Sequence, residues 1–366
     1  MRRSTAPFLL AILALSGGAP AWAAGFATPT SVTALSEGGA TVADGQPVSS
    51  LGDNPAAMVF FPGNRAALEV LAQRPSYNYA GPGGSIGAQT QTSILPNLFY
   101  SHRFSALPLS AGVAITSPYS IRDTWAPGAL GSNSPYLKNS LRVLDISPSV
   151  AYLLLPDLSV GVGLDYYQTL GGHFGPVSAN GGGVGGNFSL FYTTETLNAA
   201  LSYRSPASIS AGGGHLDLPG RVQAGLRYRW TKAFATELDV DWTDWSNAQL
   251  PYYGSLHWKS SLAYRLGLSY HFNQDLALRA GIAHEGNPSR SDAVGVAIPA
   301  TSSNLAGFGL GIGLGPWHYD IAAAYAFSGS TGLSAYTLPG SGGFSVAPGS
   351  YKASAFTFGA GISRSF

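Results

Sequence analysis

The last segment of the chain sets the pattern for most of it. Phe356, Phe358, Ala360, Ile362, Arg364 and Phe366 share one parity, while Ala355, Thr357, Gly359, Gly361, Ser363 and Ser365 share the other. Successive strand residues point to opposite faces, so one face is greasy and the other small or polar. The same period of two sets Val222, Ala224, Leu226, Tyr228 and Trp230 against Arg221, Gln223, Arg227 and Arg229. It sets Trp317, Tyr319, Ile321, Tyr325 and Phe327 against His318, Asp320 and small residues. From residue 65 onward, fourteen such segments, including 109–117, 141–154 and 186–193, are separated by Gly, Pro, Asn and Ser clusters. Apolar-out, polar-in alternation in segments of about ten residues predicts an all-β, 14-stranded antiparallel transmembrane β-barrel over 65–366. Aromatics at segment ends (Tyr100, Tyr166, Tyr167, Trp230, Trp242, Trp245, Trp258, Trp317) suit its interfacial girdles, and Phe366 suits a closing strand read by the barrel-insertion machinery.

Residues 24–64 break the pattern. They are rich in small and polar residues and hold no sustained alternation, and Asn54-Pro55 is a turn signal. This stretch predicts a small ordered hatch that plugs the barrel, with Asn54, Pro55 and Ala56 contacting the wall.

Composition agrees with a membrane barrel. Charged residues are 10% of the chain, and 19 Lys and Arg nearly balance 18 Asp and Glu, which gives no basic footprint for nucleic acid. The 48 Gly and 24 Pro interrupt every apolar run beyond the N-terminus well short of the roughly 18–20 residues of a spanning helix. Absence of Cys removes disulfides and thiolate metal sites. At the start, Arg2 and Arg3, the apolar run Phe8 to Leu15 and Ala21-Trp22-Ala23 have the three parts of a secretory signal peptide over 1–23.

Among candidate chemical motifs, Gly307, Gly309, Gly311, Gly313 and Gly315 alternate strictly and read as the lumen face of a strand, not a phosphate loop. Gly83-Gly84-Ser85-Ile86-Gly87 matches G-x-S-x-G but lies in a Gly- and Gln-rich stretch, where a nucleophile elbow needs a strand and a helix. It leaves a lipid hydrolase using Ser85 as the alternative function. The seven His show no paired ligand spacing, so no metal or cofactor is expected. The hairpin around Thr231-Lys232-Ala233 sets Arg227 and Arg229 against Glu237 and Asp239 inside the lumen, as an ion-pair ladder or a substrate carboxylate clamp. By periodicity alone, the segment beginning at Leu109 ends at Ser117, before Pro118.

Several stretches resemble the FadL-type outer-membrane transporters of long-chain fatty acids and aromatic hydrocarbons. They are Ala24-Gly25-Phe26, Asp53-Asn54-Pro55-Ala56-Ala57-Met58, Leu218-Pro219, Asp241-Trp242-Thr243-Asp244-Trp245-Ser246, Tyr264-Arg265-Leu266-Gly267, Arg279-Ala280-Gly281-Ile282-Ala283 and Ile298-Pro299. In order across nearly the whole mature chain, they imply a hatch-plugged monomeric barrel that takes hydrophobic compounds past lipopolysaccharide and releases them through a wall gap into outer-membrane lipid. The resemblance places that lateral gap at Thr116, Ser117, Pro118 and Tyr119, where the third strand kinks. The short Gly-rich stretch 171–186 departs from the family and argues against an elaborate capture groove. A purely structural or adhesin barrel is a third reading.

Overall fold

A computed structural model describes residues 27–131, 134–212, 214–289, 301–337 and 345–366. The expected signal peptide, Ala24-Gly25-Phe26 and Ile298-Pro299 lie outside the described residues. Fourteen long strands form the wall: β1 (Arg65–Gly81), β2 (Ser93–Arg103), β3 (Leu109–Trp125), β4 (Leu137–Leu155), β5 (Leu158–Thr169), β6 (Gly182–Thr193) and β7 (Leu197–Arg204), then β8 (Gly220–Arg229), β9 (Phe234–Asp244), β10 (Ser261–His271), β11 (Leu276–Glu285), β12 (Ser303–Leu314), β13 (Trp317–Phe327) and β14 (Gly349–Ser365). Each pairs antiparallel with the next, and β14 returns to β1 from Arg65↔Ser365 to Ala80↔Ser350. The closed ring leaves no strand edge to face hydrocarbon, where unpaired backbone groups would each cost several kcal/mol, about the transfer cost of a bare amide. Outward positions are apolar and exposed, as at Leu226, Tyr228, Ile321, Tyr325, Phe356 and Phe358.

Connections at one end are short, such as residues 156–157 and 315–316, where Gly315 takes a φ of 61°. Those at the other end are long. The start of β1 and Phe366 share the short-turn end, where Phe366 N donates to Asn64 O.

Several expectations need correction. Strand β3 does not stop at Ser117; it runs on to Trp125, and its pairing with β4 shifts between Thr116↔Asp145 and Tyr119↔Val143. One extra residue on β3 is a bulge, and it reverses the parity of the strand. Ser110, Ala114 and Thr116 are buried inward below it, and Ile121, Asp123 and Trp125 above it. Tyr167, Trp245 and Trp258 are not girdle residues, being 4%, 1% and 4% exposed inside the loop end. Tyr166 and Tyr167 are adjacent on β5, so only one of them can face lipid. Gly182, Gly183, Gly185 and Gly186 lie in β6 instead of a loop. Above the wall, the connections 205–219 and 245–260 build a four-stranded sheet of Ala207–Ala211, Gly214–Leu218, Gln249–Leu250 and Gly254–Ser255.

Residues 27–64 lie within the ring. They form helix α1 (Val32–Ser36), capped by Ser31 whose Oγ accepts from Ala34 N at 3.0 Å, and two 3-10 turns, Val48–Gly52 and Pro55–Phe60. Val32 and Leu35 of α1 are buried with Leu71, Leu95, Leu305 and Ala322. The alternating glycines explain how backbone comes this close. A β-carbon on Gly307 would collide with the Leu35 carbonyl oxygen, and one on Gly281 with the carbonyl group of Glu37. Gly307 and Gly309 of the stripe are a seat for α1, while Gly311 and Gly313 face Asp320 and Asp275, and Gly315 lies in the turn.

That seat makes a prediction. Gly307→Val should cost about 1–3 kcal/mol through overpacking and push α1 away from β12. The variant, folded by the heat-modified gel-migration criterion, should conduct ions in planar bilayers above the wild-type level. Wild-type conductance would show that α1 tolerates the added side chain.

Candidate functional site

The N-terminal segment is held by charge. Residues 27–64 contain the acids Glu37, Asp44 and Asp53 and no Lys or Arg, so their counter-charges must come from the wall. Arg227 on β8 supplies one, with Nη1 at 2.9 Å from Glu37, 3.5 Å from Asp44 and 2.8 Å from Glu237 on β9. Arg279 on β11 lies 3.6 Å from Glu37 and 2.6 Å from Asp320. Two guanidiniums thus face four buried carboxylates. Burial lifts Glu37 from its usual 4.5 to about 7, against the opposing pull of Arg227. Asp53 is also raised by burial, and it accepts from Thr41 Oγ1 at 2.8 Å.

The expected four-residue ladder is therefore different in detail. Arg227 stands opposite Glu237 and pairs with it. Asp239 instead accepts the backbone N–H groups of Thr41 and Val42 at 2.9 and 3.1 Å, because the inserted segment presents donors there. Arg229, nearer the turn, donates to the Thr194 and Glu195 carbonyls and to Asn198 Oδ1, with no ion-pair partner among the described residues. The acids of residues 27–64 were the overlooked signal, since buried acids in a stretch without bases call for partners elsewhere.

Asn54 caps the second 3-10 turn, its Oδ1 accepting from Ala56 N at 3.0 Å while Nδ2 donates to Val42 O and, across to β6, to Leu190 O at 3.0 Å. Pro55 fits the first turn position, where an N–H would have no partner. Ala56 N also donates to Ser189 Oγ at 3.0 Å, and Ala56 O accepts from Ser159 Oγ at 2.7 Å.

At Thr116–Tyr119 the wall is interrupted on both sides of β3. Pairing with β2 stops at Leu98↔Ile115, leaving Ser93–Asn97 in a ladder with β1 alone, and Ser117 and Pro118 drop out of the ladder with β4. Substitute bonds fill in. Ser117 N donates to Asn97 Oδ1 at 3.0 Å, and Ser120 Oγ donates to Ser93 Oγ at 3.0 Å. Thr28 reaches from the N-terminal segment, its Oγ1 donating to Ser117 O at 2.5 Å and its N to Pro118 O at 2.9 Å. Pro96 and Pro118 flank the break, and neither has an N–H to strand. A cavity of about 100 Å³ lies beside it, lined by Thr28, Pro118, Tyr119, Arg221 and Trp245 among others.

Above the break the lumen changes character. Ile121, Leu141, Val143, Tyr167, Trp245 and Trp258 form one buried apolar cluster with Ile209 and Leu216 of the outer sheet. Tyr77, Trp125 and Tyr351 form a second. Sequence reasoning missed this chamber, because the bulge changes the facing parity and the loops contribute much of it. Ser85 lies at an exposed hairpin opposite Ala80, on a strand–turn–strand path and not at a strand-to-helix elbow. Among the described residues no group of His, Asp and Glu has metal-holding geometry.

A family model described as outer membrane protein transport protein (OMPP1/FadL/TodX) matches residues 14–201 and 185–366. Among solved structures, a Pseudomonas aeruginosa FadL homologue superposes with a TM-score of 0.79 at 16% identity, over 94% of this chain and 100% of that one. The Pseudomonas putida toluene transporter TodX gives 0.67 at 14% identity over 90% and 99%. The Ralstonia pickettii toluene transporter TbuX gives 0.64 at 14% over 92% and 98%. Among curated proteins nothing matches the sequence.

The acid-rich network yields a pH dependence. Glu37 is raised from 4.5 to about 7, so its protonated form favours the docked segment. That contribution is complete below the ordinary value and is lost as pH rises through the raised one. Bilayer conductance should be greater at pH 8 than at pH 5, and Glu37→Gln should flatten the difference. Arg227→Met, which leaves Glu237 buried without its ion-pair partner and Glu37 with Arg279 alone, should cost about 3–5 kcal/mol, read as a lowered heat-unfolding temperature. An unchanged temperature would remove Arg227 from the structural role assigned here.

Proposed function

Because the chain belongs to the OMPP1/FadL/TodX family of outer-membrane transport proteins, we propose that it admits hydrophobic compounds passively and releases them sideways through the wall at Thr116–Tyr119. The outer membrane of a Gram-negative bacterium is the setting that family membership gives. The observation that carries the lateral route is the double interruption around β3, where side chains and Thr28 replace the ladder bonds of Ser117 and Pro118. Such bonds can be exchanged without stranding a backbone donor in lipid, since proline brings none. The apolar chamber adjoins the break, and a greasy solute gains free energy on passing from it into hydrocarbon. No energy source is required.

In this reading residues 24–64 are the hatch. Its bonds to Glu69, Ser159, Ser189, Arg227 and Asp239 around the ring block the axial path. The substrate range in this reading is long-chain fatty acids or aromatic hydrocarbons, as the sequence resemblance implies, and toluene transporters are among the similar structures. A single chain closes its own barrel, so a monomer suffices. Phe366, 65% exposed at the end of the closing strand, is free to meet the insertion machinery.

A reversible staple tests the route. Ser93 and Ser120 touch across the β2–β3 break, Oγ to Oγ at 3.0 Å, and the chain has no Cys. In Ser93→Cys/Ser120→Cys, oxidation should suppress accumulation of a labelled hydrophobic probe by cells, and a reductant should restore it. Equal uptake by both forms, with the disulfide verified by mass spectrometry, would put the exit elsewhere.

A further inference from the structure

The outward face of β3 and β4 carries charge that the protein itself does not neutralise. Along β4 the outward residues Leu144, Ile146, Pro148, Val150 and Tyr152 are uncharged, and toward the loop end that run gives way to Arg142, Ser140 and Lys138. The intervening Leu137, Asn139, Leu141 and Val143 are buried inward, which fixes the alternation. Ser140 is the centre of a basic ring. Arg122 of β3 stands opposite it on one side, and His173 of the short strand His173–Phe174 on the other. Lys138 and Arg142 are its nearest neighbours along β4 on the same face. Directly opposed residues lie about 5 Å apart and same-face neighbours along a strand about 7 Å apart, so four basic side chains surround one hydroxyl.

No acid answers them. The five adjacent strands β14, β1, β2, β3 and β4 contain three acids, Glu69, Asp123 and Asp145, and all three are buried on the lumen side. Among the described residues Arg122, Lys138, Arg142 and His173 form no ion pair. Arg74 of β1 and Lys352 of β14, exposed on the same outer surface, extend the single sign past β2. Like charges at neighbouring strand positions repel, and an anion among them removes the repulsion. Ser140 Oγ already donates to Gly171 O at 3.1 Å, so holding the anion falls to the cations. Guanidinium groups suit phosphate above all, taking its oxygens two at a time.

We propose that this ring is a seat for a phosphate group of lipopolysaccharide, the phosphorylated glycolipid of the outer leaflet. The long connections of outer-membrane barrels lie outside the cell, so the ring stands at the outer surface, where the apolar band of the wall ends. A lipid phosphate held there lays its acyl chains against Leu144, Ile146 and Val150, a match that inorganic phosphate lacks. One member joins the seat to the break in the wall. Arg142 Nη1 reaches past β3 to donate to Ile94 O at 3.2 Å, in the stretch of β2 that has no ladder with β3. The bound glycolipid therefore rests against the outer rim of the break. The assignment needs the outer-membrane setting and not the sideways route.

Native mass spectrometry of the purified full-length protein in detergent, offered one lipid at a time, tests the seat. The probes are bisphosphorylated lipid A, the membrane-embedded part of lipopolysaccharide, the same lipid A with both phosphates removed, and phosphatidylglycerol. The wild type should retain the bisphosphorylated form about tenfold or more above either of the others. Each cation beside an anionic lipid is worth roughly fivefold in affinity, so Arg122→Gln/Lys138→Gln should weaken retention roughly 25-fold. Lys232→Gln, which removes an exposed cation at the turn end, should leave it unchanged. The changed side chains are exposed, and every variant should migrate as a folded barrel on heat-modified gels. Equal retention of phosphorylated and dephosphorylated lipid A by the wild type overturns the proposal, whatever the variants do. Undiminished retention by the folded double variant overturns it too, as does a loss in Lys232→Gln of the same size, which would reduce the effect to net charge. Phosphatidylglycerol held as well as lipid A would make this face a general phospholipid contact and sink the glycolipid assignment.

Discussion

Hydrocarbon offers backbone N–H and C=O groups no partner, and the structure meets that requirement with the sheet ladder everywhere except at one place. Fourteen strands close on themselves from β1 to β14, so each spanning residue finds its bonds in the next strand. At β3 the same requirement is met differently. Ser117 donates to a side chain, Asn97, and the carbonyls of Ser117 and Pro118 are taken by Thr28. The backbone groups of Ser117 and Pro118 are thus bonded without the sheet being complete there.

The bulge that interrupts the ladder also divides the lumen. Along β4 the inward residues change from Leu137, Leu141 and Val143 at the loop end to Asp145, Ser147 and Ser149 at the turn end. The polar half carries the arginines that bind Glu37 and Asp44, and the apolar half is the chamber with Tyr167, Trp245 and Trp258. A buried ion pair is a weak source of net stability, because desolvation offsets most of the attraction. Its value here is position: charges on the wall fix the register of a segment whose Val32, Leu35, Leu51, Met58 and Phe61 pack against apolar wall residues. Glycines 281 and 307 set how closely that segment lies against the wall.

The break, the N-terminal segment and the chamber are mechanically one arrangement. Thr28 bonds the kink, and the chain continues from it through α1 into the Glu37–Arg227 network. The 100 Å³ cavity between them is lined from both sides, by Thr28 and Gly38 as well as Pro118 and Tyr119. Displacement of the segment therefore changes the bonding of the break directly, with no need for a signal carried through the sheet.

The sequence by itself determined the barrel, because a period of two with one lipid-facing side is written locally in each strand, as in 354–366. It also determined the Arg227–Glu237 pairing, since a short hairpin turn dictates register, and it marked Asn54-Pro55 as a turn. Tertiary structure decided what local pattern cannot contain. The parity reversal at Pro118 depends on β3's two neighbours, the partners of Asp239 and Arg229 depend on the inserted segment, and the fate of Tyr167, Trp245 and Trp258 depends on which side of the wall they meet. The chamber was illegible for the same reason: Asp123, Asn139 and Tyr253 lie on three separate stretches, and only the closed ring with its folded loops brings one acceptor, one amide and one phenol together.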